Sequence, residues 1–310
     1  MNGHALVVGE ALVDIVRRAG SEPVEHVGGS PLNVALGLGR LGRAVQFVTR
    51  VGADERGTRI VEHLTAAGVA LTPGSTSADR TATAQAELDE KGSARYEFDI
   101  TWDPVEPPMT ADVVLVHTGS IATVLEPGCD VVAELVALQS RTSTVSFDPN
   151  IRPALIADPA RGRARIERLV TLADVVKASD EDLEWFAPGR DPLDTAREWL
   201  SRGPAVVAVT RGGAGAVAVC AAGTVEVPAV QVEVVDTVGA GDAFTAGLLD
   251  GLWSFGFVGI ERQERLRDIG TAELRAALET AAWTSALTVA RAGADLPTLA
   301  ERVAARKVTR

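Results

Sequence analysis

Cysteine is nearly absent from this 310-residue sequence: only Cys129 and Cys220 occur, far apart and without metal-type spacing. That excludes a disulfide framework and a thiolate metal site, and it fits a reducing compartment. The four histidines, His4, His26, His63 and His117, form no metal signature either. Positive charge is in deficit, with 30 Lys and Arg against 42 Asp and Glu, for a net charge of −12. This balance argues against a nucleic-acid partner, which needs a basic face, and against docking on anionic lipid. A local cluster can still receive an anionic small molecule. No apolar run reaches the ~18 residues of a membrane span. The N-terminus meets Glu10 and Asp14 almost at once and lacks the basic start and apolar stretch of a signal peptide. The expected location is the cytoplasm, with no membrane partner. The remaining composition is ordinary: 46% hydrophobic and 23% charged residues describe a globular chain. Its length suits one large domain, or one domain with a small appendage.

Short β-branched or apolar runs recur at 5–8, 45–49, 113–117, 144–147, 175–177 and 206–210. Helical patterns at 31–41, 57–67, 130–139, 159–172 and 192–201 lie between them. This alternation predicts an α/β fold, a mostly parallel sheet with helices on both faces. Two stretches break the rhythm. Residues 12–18 with 24–27, and 81–88 with 94–98 across Asp89-Glu90-Lys91-Gly92, read as hairpins. They predict a small antiparallel sheet outside the main one, whose apolar face needs a cover. The bland alternative is a pair of surface hairpins. A third hairpin is expected at 216–220 and 225–227, mixed structure at 254–270, and a long Ala-rich helix at 272–291. No linker divides the chain, so a single domain over 1–310 is expected, with inserted segments at about 11–27 and 78–103.

Gly37-Leu38-Gly39-Arg40-Leu41-Gly42 has the glycine spacing of a dinucleotide-binding turn. That turn must follow a strand and open a helix. Here the glycines fall late in a helical pattern, so close helix packing and a C-terminal glycine explain them better. A nicotinamide or flavin oxidoreductase is not expected. No Gly-Lys-Ser/Thr phosphate loop occurs either.

Two other segments carry chemistry. Asp236-Thr237-Val238-Gly239-Ala240-Gly241-Asp242-Ala243-Phe244 is a glycine-rich turn opening a helix. Its free N–H groups and the helix dipole suit an anion, and Asp242 places a carboxylate beside it. Amides that hold a transferring phosphate, next to a base for the acceptor's proton, suit phosphoryl transfer. A plain capped helix would also account for the pattern. Gly28-Gly29-Ser30-Pro31-Leu32-Asn33 allows close backbone approach and offers an amide that donates and accepts, which fits a sugar hydroxyl. A helix start with proline in its first turn is the alternative.

Together these segments resemble the two signatures of the ribokinase-like (PfkB-type) carbohydrate kinases. Other landmarks follow in the family's order: Gly9-Glu10-Ala11-Leu12-Val13-Asp14, Asp148-Pro149-Asn150-Ile151-Arg152-Pro153, Val209-Thr210-Arg211-Gly212-Gly213 and Arg291-Ala292-Gly293-Ala294. The resemblance spans roughly residues 5–297. It implies an ATP-dependent sugar kinase with Asp242 as general base and the amides of Gly239, Ala240 and Gly241 as anion hole. It implies sugar contacts from Asp14, Gly28, Gly29, Asn33 and Arg152, the last with an ordinary ion pair as its alternative. It implies that the hairpins form a lid, with Tyr96 and Phe98 walling the sugar pocket or simply packing within the lid. Nucleotide contacts are implied for Lys177, Ser179, Thr210, Arg211, Gly212, Gly239 and Gly241.

Where the family usually carries Asn-x-x-Glu, this chain has Ser179-Asp180-Glu181-Asp182. Asp182 is the implied holder of Mg²⁺ through water, with a carboxylate one methylene short. Asp236, Val238 and Gly293 mark the place of a monovalent cation, K⁺, in some relatives. A homodimer through the lid is expected. The details look most like fructokinase-like members, which implies D-fructose as acceptor. Ribose, 2-keto-3-deoxygluconate and nucleosides are the alternatives within the family, the last disfavoured by the one Tyr and seven Phe. A non-catalytic sugar sensor is the alternative outside it.

Overall fold

The computed structural model describes residues 3–18, 22–88, 94–105 and 112–308. The strands are β1 His4–Val8, β2 Leu12–Arg18, β3 Val24–Gly28, β4 Val45–Val48, β5 Val69–Leu71, β6 Thr83–Leu88, β7 Ala94–Asp99, β8 Val113–Gly119, β9 Thr144–Asp148, β10 Val175–Ser179, β11 Val206–Thr210, β12 Ala216–Cys220 and β13 Gly223–Val227. The helices are α1 Ser30–Arg40, α2 Glu55–Ala66, α3 Gly128–Gln139, α4 Pro159–Leu172, α5 Asp180–Phe186, α6 Pro192–Leu200, α7 Ala240–Ser254, α8 Gln263–Arg267, α9 Thr271–Val289 and α10 Leu299–Val308.

One nine-stranded sheet runs β13-β12-β11-β10-β9-β8-β1-β4-β5. Neighbours from β5 to β11 pair in parallel, and β12 and β13 close the edge as an antiparallel hairpin. Both faces are covered, so adjacent strand residues feed different cores. Val175 and Val206 join Leu36 of α1, Ile60 of α2, Leu248 of α7 and Leu278 of α9. Val176 and Val207 join Val132 of α3, Ile166 of α4, Leu183 of α5 and Trp199 of α6.

The misleading glycines resolve as packing. A Cβ on Gly37 would lie 2.7 Å from Ala246 Cβ of α7 and 2.5 Å from Leu296. Gly42 takes φ +86° just past the end of α1. These positions serve helix contact and helix termination rather than a cofactor.

The segments expected to form a lid make a second sheet, β3-β2-β6-β7. Its hairpins β2/β3 and β6/β7 are antiparallel, as expected, while the seam between them, β2 to β6, is parallel. Leu12, Ala82, Ala84, Phe98 and Ile100 pack together on one face. Val13 and Ile15 point the other way into the main core. Arg56 and Arg59 of α2 both pair with Glu25 of β3, tying the back of the lid to the body. The expected turn at 89–92 and the side chain of Tyr96 lie outside the described residues. No helix among the described residues is long and apolar enough to cross a membrane.

Candidate active site

The glycine turn sits at the head of α7. Gly239 takes φ +76°, and a Cβ there would come within 2.7 Å of Ala294 Cβ, so only glycine fits. Of the amides expected to face an anion, that of Ala240 already donates to Thr237 O at 3.2 Å. Those of Gly239 and Gly241 have no hydrogen-bond acceptor among the described residues.

Asp242, in the first turn of α7, is held from across the molecule. Ser30 Oγ donates to its Oδ1 at 2.6 Å, and Asn33 Nδ2 donates to its Oδ2 at 2.7 Å. Both donors lie in the first turn of α1, which Gly29 caps at φ +114°. Burial pushes the Asp242 carboxyl above its usual range, and these two hydrogen bonds work against that shift by favouring the charge.

Beneath the turn is a buried ion pair. Lys177 Nζ donates to Asp148 Oδ2 at 3.0 Å, and Thr245 Oγ1 of α7 donates to the same oxygen at 3.1 Å. Burial lifts the Asp148 carboxyl to about 6. Burial opposes the Lys177 charge, but Asp148, Asp182 and Asp242 outweigh it and hold the ammonium pKa above its usual value. A Cβ on Gly241 would lie 3.0 Å from Lys177 Nζ, so the glycine lets the amine rise against the turn.

Two cavities meet here. The larger, of about 670 Å³, is lined by Lys177, Ser179, Thr210 and Gly212 and reaches Phe244 of α7 and Val289 of α9. The smaller, of about 360 Å³, is lined by Asp14, Gly29, Asn33, Phe98, Gly239 and Asp242. Asn150, Arg152, Thr237, Ala240 and Gly241 line both, so the glycine turn is their common wall.

Most expected residues therefore converge, with four qualifications. Gly239, expected at the nucleotide too, lines only the smaller cavity. Gly28 lines neither cavity; a Cβ there would strike Asp14 Oδ2 at 2.1 Å, so it makes room for that carboxylate. Arg211 also lines neither, because its guanidinium turns outward to Glu226 of β13. Asp182 lines the larger cavity, but its Oδ1 accepts from Ile151 N at 2.7 Å and its Oδ2 from Ser179 N at 2.8 Å. With Ser179 Oγ accepting from Asp182 N, this is a reciprocal helix cap. Arg152 makes no ion pair among the described residues; its Nη1 donates to Asn150 Oδ1 at 2.8 Å, and its charge favours ionised Asp242 and Asp14. Asp236 accepts from Val238 N at 3.0 Å and Gly293 N at 2.8 Å, which gathers those residues at one edge of the turn.

Sequence reading did not single out Ser30, Glu10, Ser120 or Asp148. Ser30, Glu10 and Asp148 lie inside the quoted runs, so the signal was adjacency. Ser120 carries none, since its importance comes from φ +55° and from its place in the smaller cavity.

With this geometry in hand, the comparisons are consistent. A model of the pfkB family of carbohydrate kinases matches residues 3–301. The fructokinase of Rhizobium leguminosarum bv. trifolii is 36% identical over 261 residues, covering 80% of this chain and 79% of its own. The crystal structure of a Xylella fastidiosa fructokinase with bound ATP superposes with a TM-score of 0.86 at 26% identity, over 100% of both chains. A double mutant of the Vibrio cholerae O395 fructokinase, with fructose, ADP and potassium ion bound, gives a TM-score of 0.78 at 26% identity, over 98% of both chains.

Proposed function

Because this chain belongs to the pfkB family of carbohydrate kinases, we propose that it transfers the γ-phosphoryl group of ATP to the 6-hydroxyl of D-fructose. One observation carries the reading. Asp242 lines the smaller cavity from the same turn whose Thr237, Ala240 and Gly241 also line the larger one. The acceptor sits under the lid, against Asp14, Asn33 and Phe98, and ATP lies along β10, β11 and α7. Asp242 accepts the hydroxyl proton as the oxygen bonds to the γ-phosphorus and ADP leaves. The amides of Gly239 and Gly241 and the Lys177 ammonium stabilise the charge on the phosphoryl oxygens. The lid excludes water, the competing acceptor.

The acceptor cavity favours a neutral polyol. The carboxyls of Glu10, Asp14 and Asp242 line it, with Arg152 as the opposing cation. A keto acid would meet net repulsion there. A nucleoside would find Phe98 as its aromatic partner in about 360 Å³. Likeness to the fructose-bound structure supports fructose over ribose.

Mg²⁺ enters with ATP in this reading. The donor set at the larger cavity, Ser179, Asp180, Glu181 and Asp182, consists of oxygen ligands suited to a hard cation. No group of three or more His, Cys, Asp or Glu among the described residues would chelate an ion alone. Asp182 would therefore hold such an ion through water, with phosphate as its main ligand, and the ion would supply neutralisation of phosphate charge. A K⁺ ion is assigned to the edge formed by Asp236, Val238 and Gly293. The sugar-facing side of the lid continues outward to Val24, which is 52% exposed; a second copy of the lid covers it in a homodimer. Both cysteines are free and buried, in keeping with a cytoplasmic protein.

The test is ADP release with Mg²⁺-ATP and separate fructose, ribose, tagatose, 2-keto-3-deoxygluconate and adenosine. Fructose should lead, with kcat/KM of at least ~10⁴ M⁻¹s⁻¹. A preference for another sugar would discard fructose. Sugar binding without ADP release would make the protein a sensor and overturn the kinase reading.

A further inference from the structure

Glu10 is a buried carboxyl with no part in the mechanism above. It is 4% exposed, yet it lines the acceptor cavity. It sits where the chain leaves β1 of the main sheet to enter β2 of the lid. Its backbone is pressed against the return crossing: a Cβ on Gly29 would lie 2.5 Å from Glu10 O. Its side chain reaches a third segment, the corner after β8, where Oε2 accepts from Ala122 N at 3.2 Å and the nearby Ser120 hydroxyl favours the ionised carboxyl.

That corner is strained. Ser120 holds φ +55°, which a non-glycine residue adopts only when its surroundings impose it. Thr123 Oγ1 donates to Ser120 O at 2.8 Å and Trp102 Nε1 to Ala122 O at 3.0 Å, so carbonyls on both sides of Ile121 are fixed as well. Ser120 and Ile121 face the same cavity as Asp14 and Asp242.

We propose that Glu10 is a positioning residue for the acceptor sugar: it clamps the Ser120–Ala122 corner to the paired lid crossings and so fixes the wall against which the sugar is held. The clamp touches only the smaller cavity. Neither Glu10 nor Ser120 lines the larger one. Loss of the clamp therefore weakens acceptor binding and spares the nucleotide. The carboxyl needs only to accept hydrogen bonds for this role, so an amide oxygen substitutes for much of it. The inference rests on the assignment of the smaller cavity to the acceptor.

The experiment compares E10A, E10Q and S120G with the unmodified protein, using KM for fructose, KM for ATP, kcat and thermal melting. S120G keeps the test open if E10A does not fold, because glycine takes φ +55° without strain and removes only the hydroxyl. The expected result is a rise of tenfold or more in the fructose KM of E10A, a smaller rise in S120G, and an ATP KM within about twofold of the unmodified value. E10Q should recover most of the lost fructose affinity. Equal changes in both KM values, no recovery in E10Q, or an unchanged fructose KM in E10A and S120G would each overturn the proposal. Failure of the acceptor assignment itself would read differently, as no fructose-dependent ADP release from the unmodified protein.

Discussion

Asn33 Nδ2 donates to Asp242 Oδ2 at 2.7 Å across 209 positions of sequence. The bond joins the first turn of α1 to the first turn of α7 and favours the charged form of a carboxyl that burial pushes the other way. A hydrogen bond to an ionised group contributes about 1.5–3 kcal/mol, and one pKa unit corresponds to 1.36 kcal/mol. Removal of Asn33 or Ser30 therefore raises the Asp242 pKa further. In N33A or S30A, the acid limb of the pH–kcat profile should move to higher pH by about one unit. An acid limb that stays in place would show that Asp242 is not the group whose ionisation limits turnover.

Asp242→Asn keeps the shape and removes the base. Turnover should fall by ~10²-fold or more, as for other lost general bases. Fructose binding, followed by calorimetry, should persist. Turnover within threefold of the unmodified protein would remove Asp242 from the chemistry.

Asp182 tests whether the shorter carboxylate serves structure as well as the ion. In D182A the buried N–H groups of Ile151 and Ser179 lose their acceptor, at a cost of about 1–3 kcal/mol for each unsatisfied donor. The melting temperature should drop and the KM for Mg²⁺-ATP should rise together. A drop in melting temperature with an unchanged nucleotide KM would leave only the helix cap.

The buried carboxyls predict how stability depends on pH. Burial holds Glu10 at about 7 and Asp148 at about 6 in the folded state, above their ordinary values of 4.5 and 3.8. A group raised on folding favours the folded state below its ordinary pKa and loses that contribution as pH rises through the folded value. Glu301, lowered to about 2 by the N–H and hydroxyl of Thr298, acts in the opposite sense and loses its contribution as pH falls below 4.5. Stability from these groups should therefore be greatest near pH 4.5 and fall as pH rises toward 7. Urea midpoints from pH 4 to 8.5 check this, and a midpoint that climbs steadily to pH 8 would contradict it.

The parallel sheet was legible because both its faces are buried, so each strand reads as an unbroken apolar run such as Val113–His117 or Val206–Thr210. The lid hairpins were legible from their alternation. The β2–β6 seam was not, since no local pattern reports which strand edges meet. β5 is only Val69–Leu71, α5 is a seven-residue helix Asp180–Phe186, and α10 lies in a charged stretch, so each falls below what periodicity resolves. At the site, the glycine turn and Asp242 were plain because backbone demands are written in residue identity. The roles of Ser30, Glu10 and Ser120 come from contacts between distant segments, and those exist only in the folded chain.

The inserted sheet touches only one of the two cavities. Asp14, Ala84 and Phe98 of the second sheet line the smaller cavity, while the larger is lined entirely from the body. The lid strands enter as two excursions, one between β1 and α1 and one between β5 and β8. On the proposed assignment, exchange of these excursions would recut one wall of the acceptor's chamber while leaving the glycine turn and the whole of the larger cavity as they are.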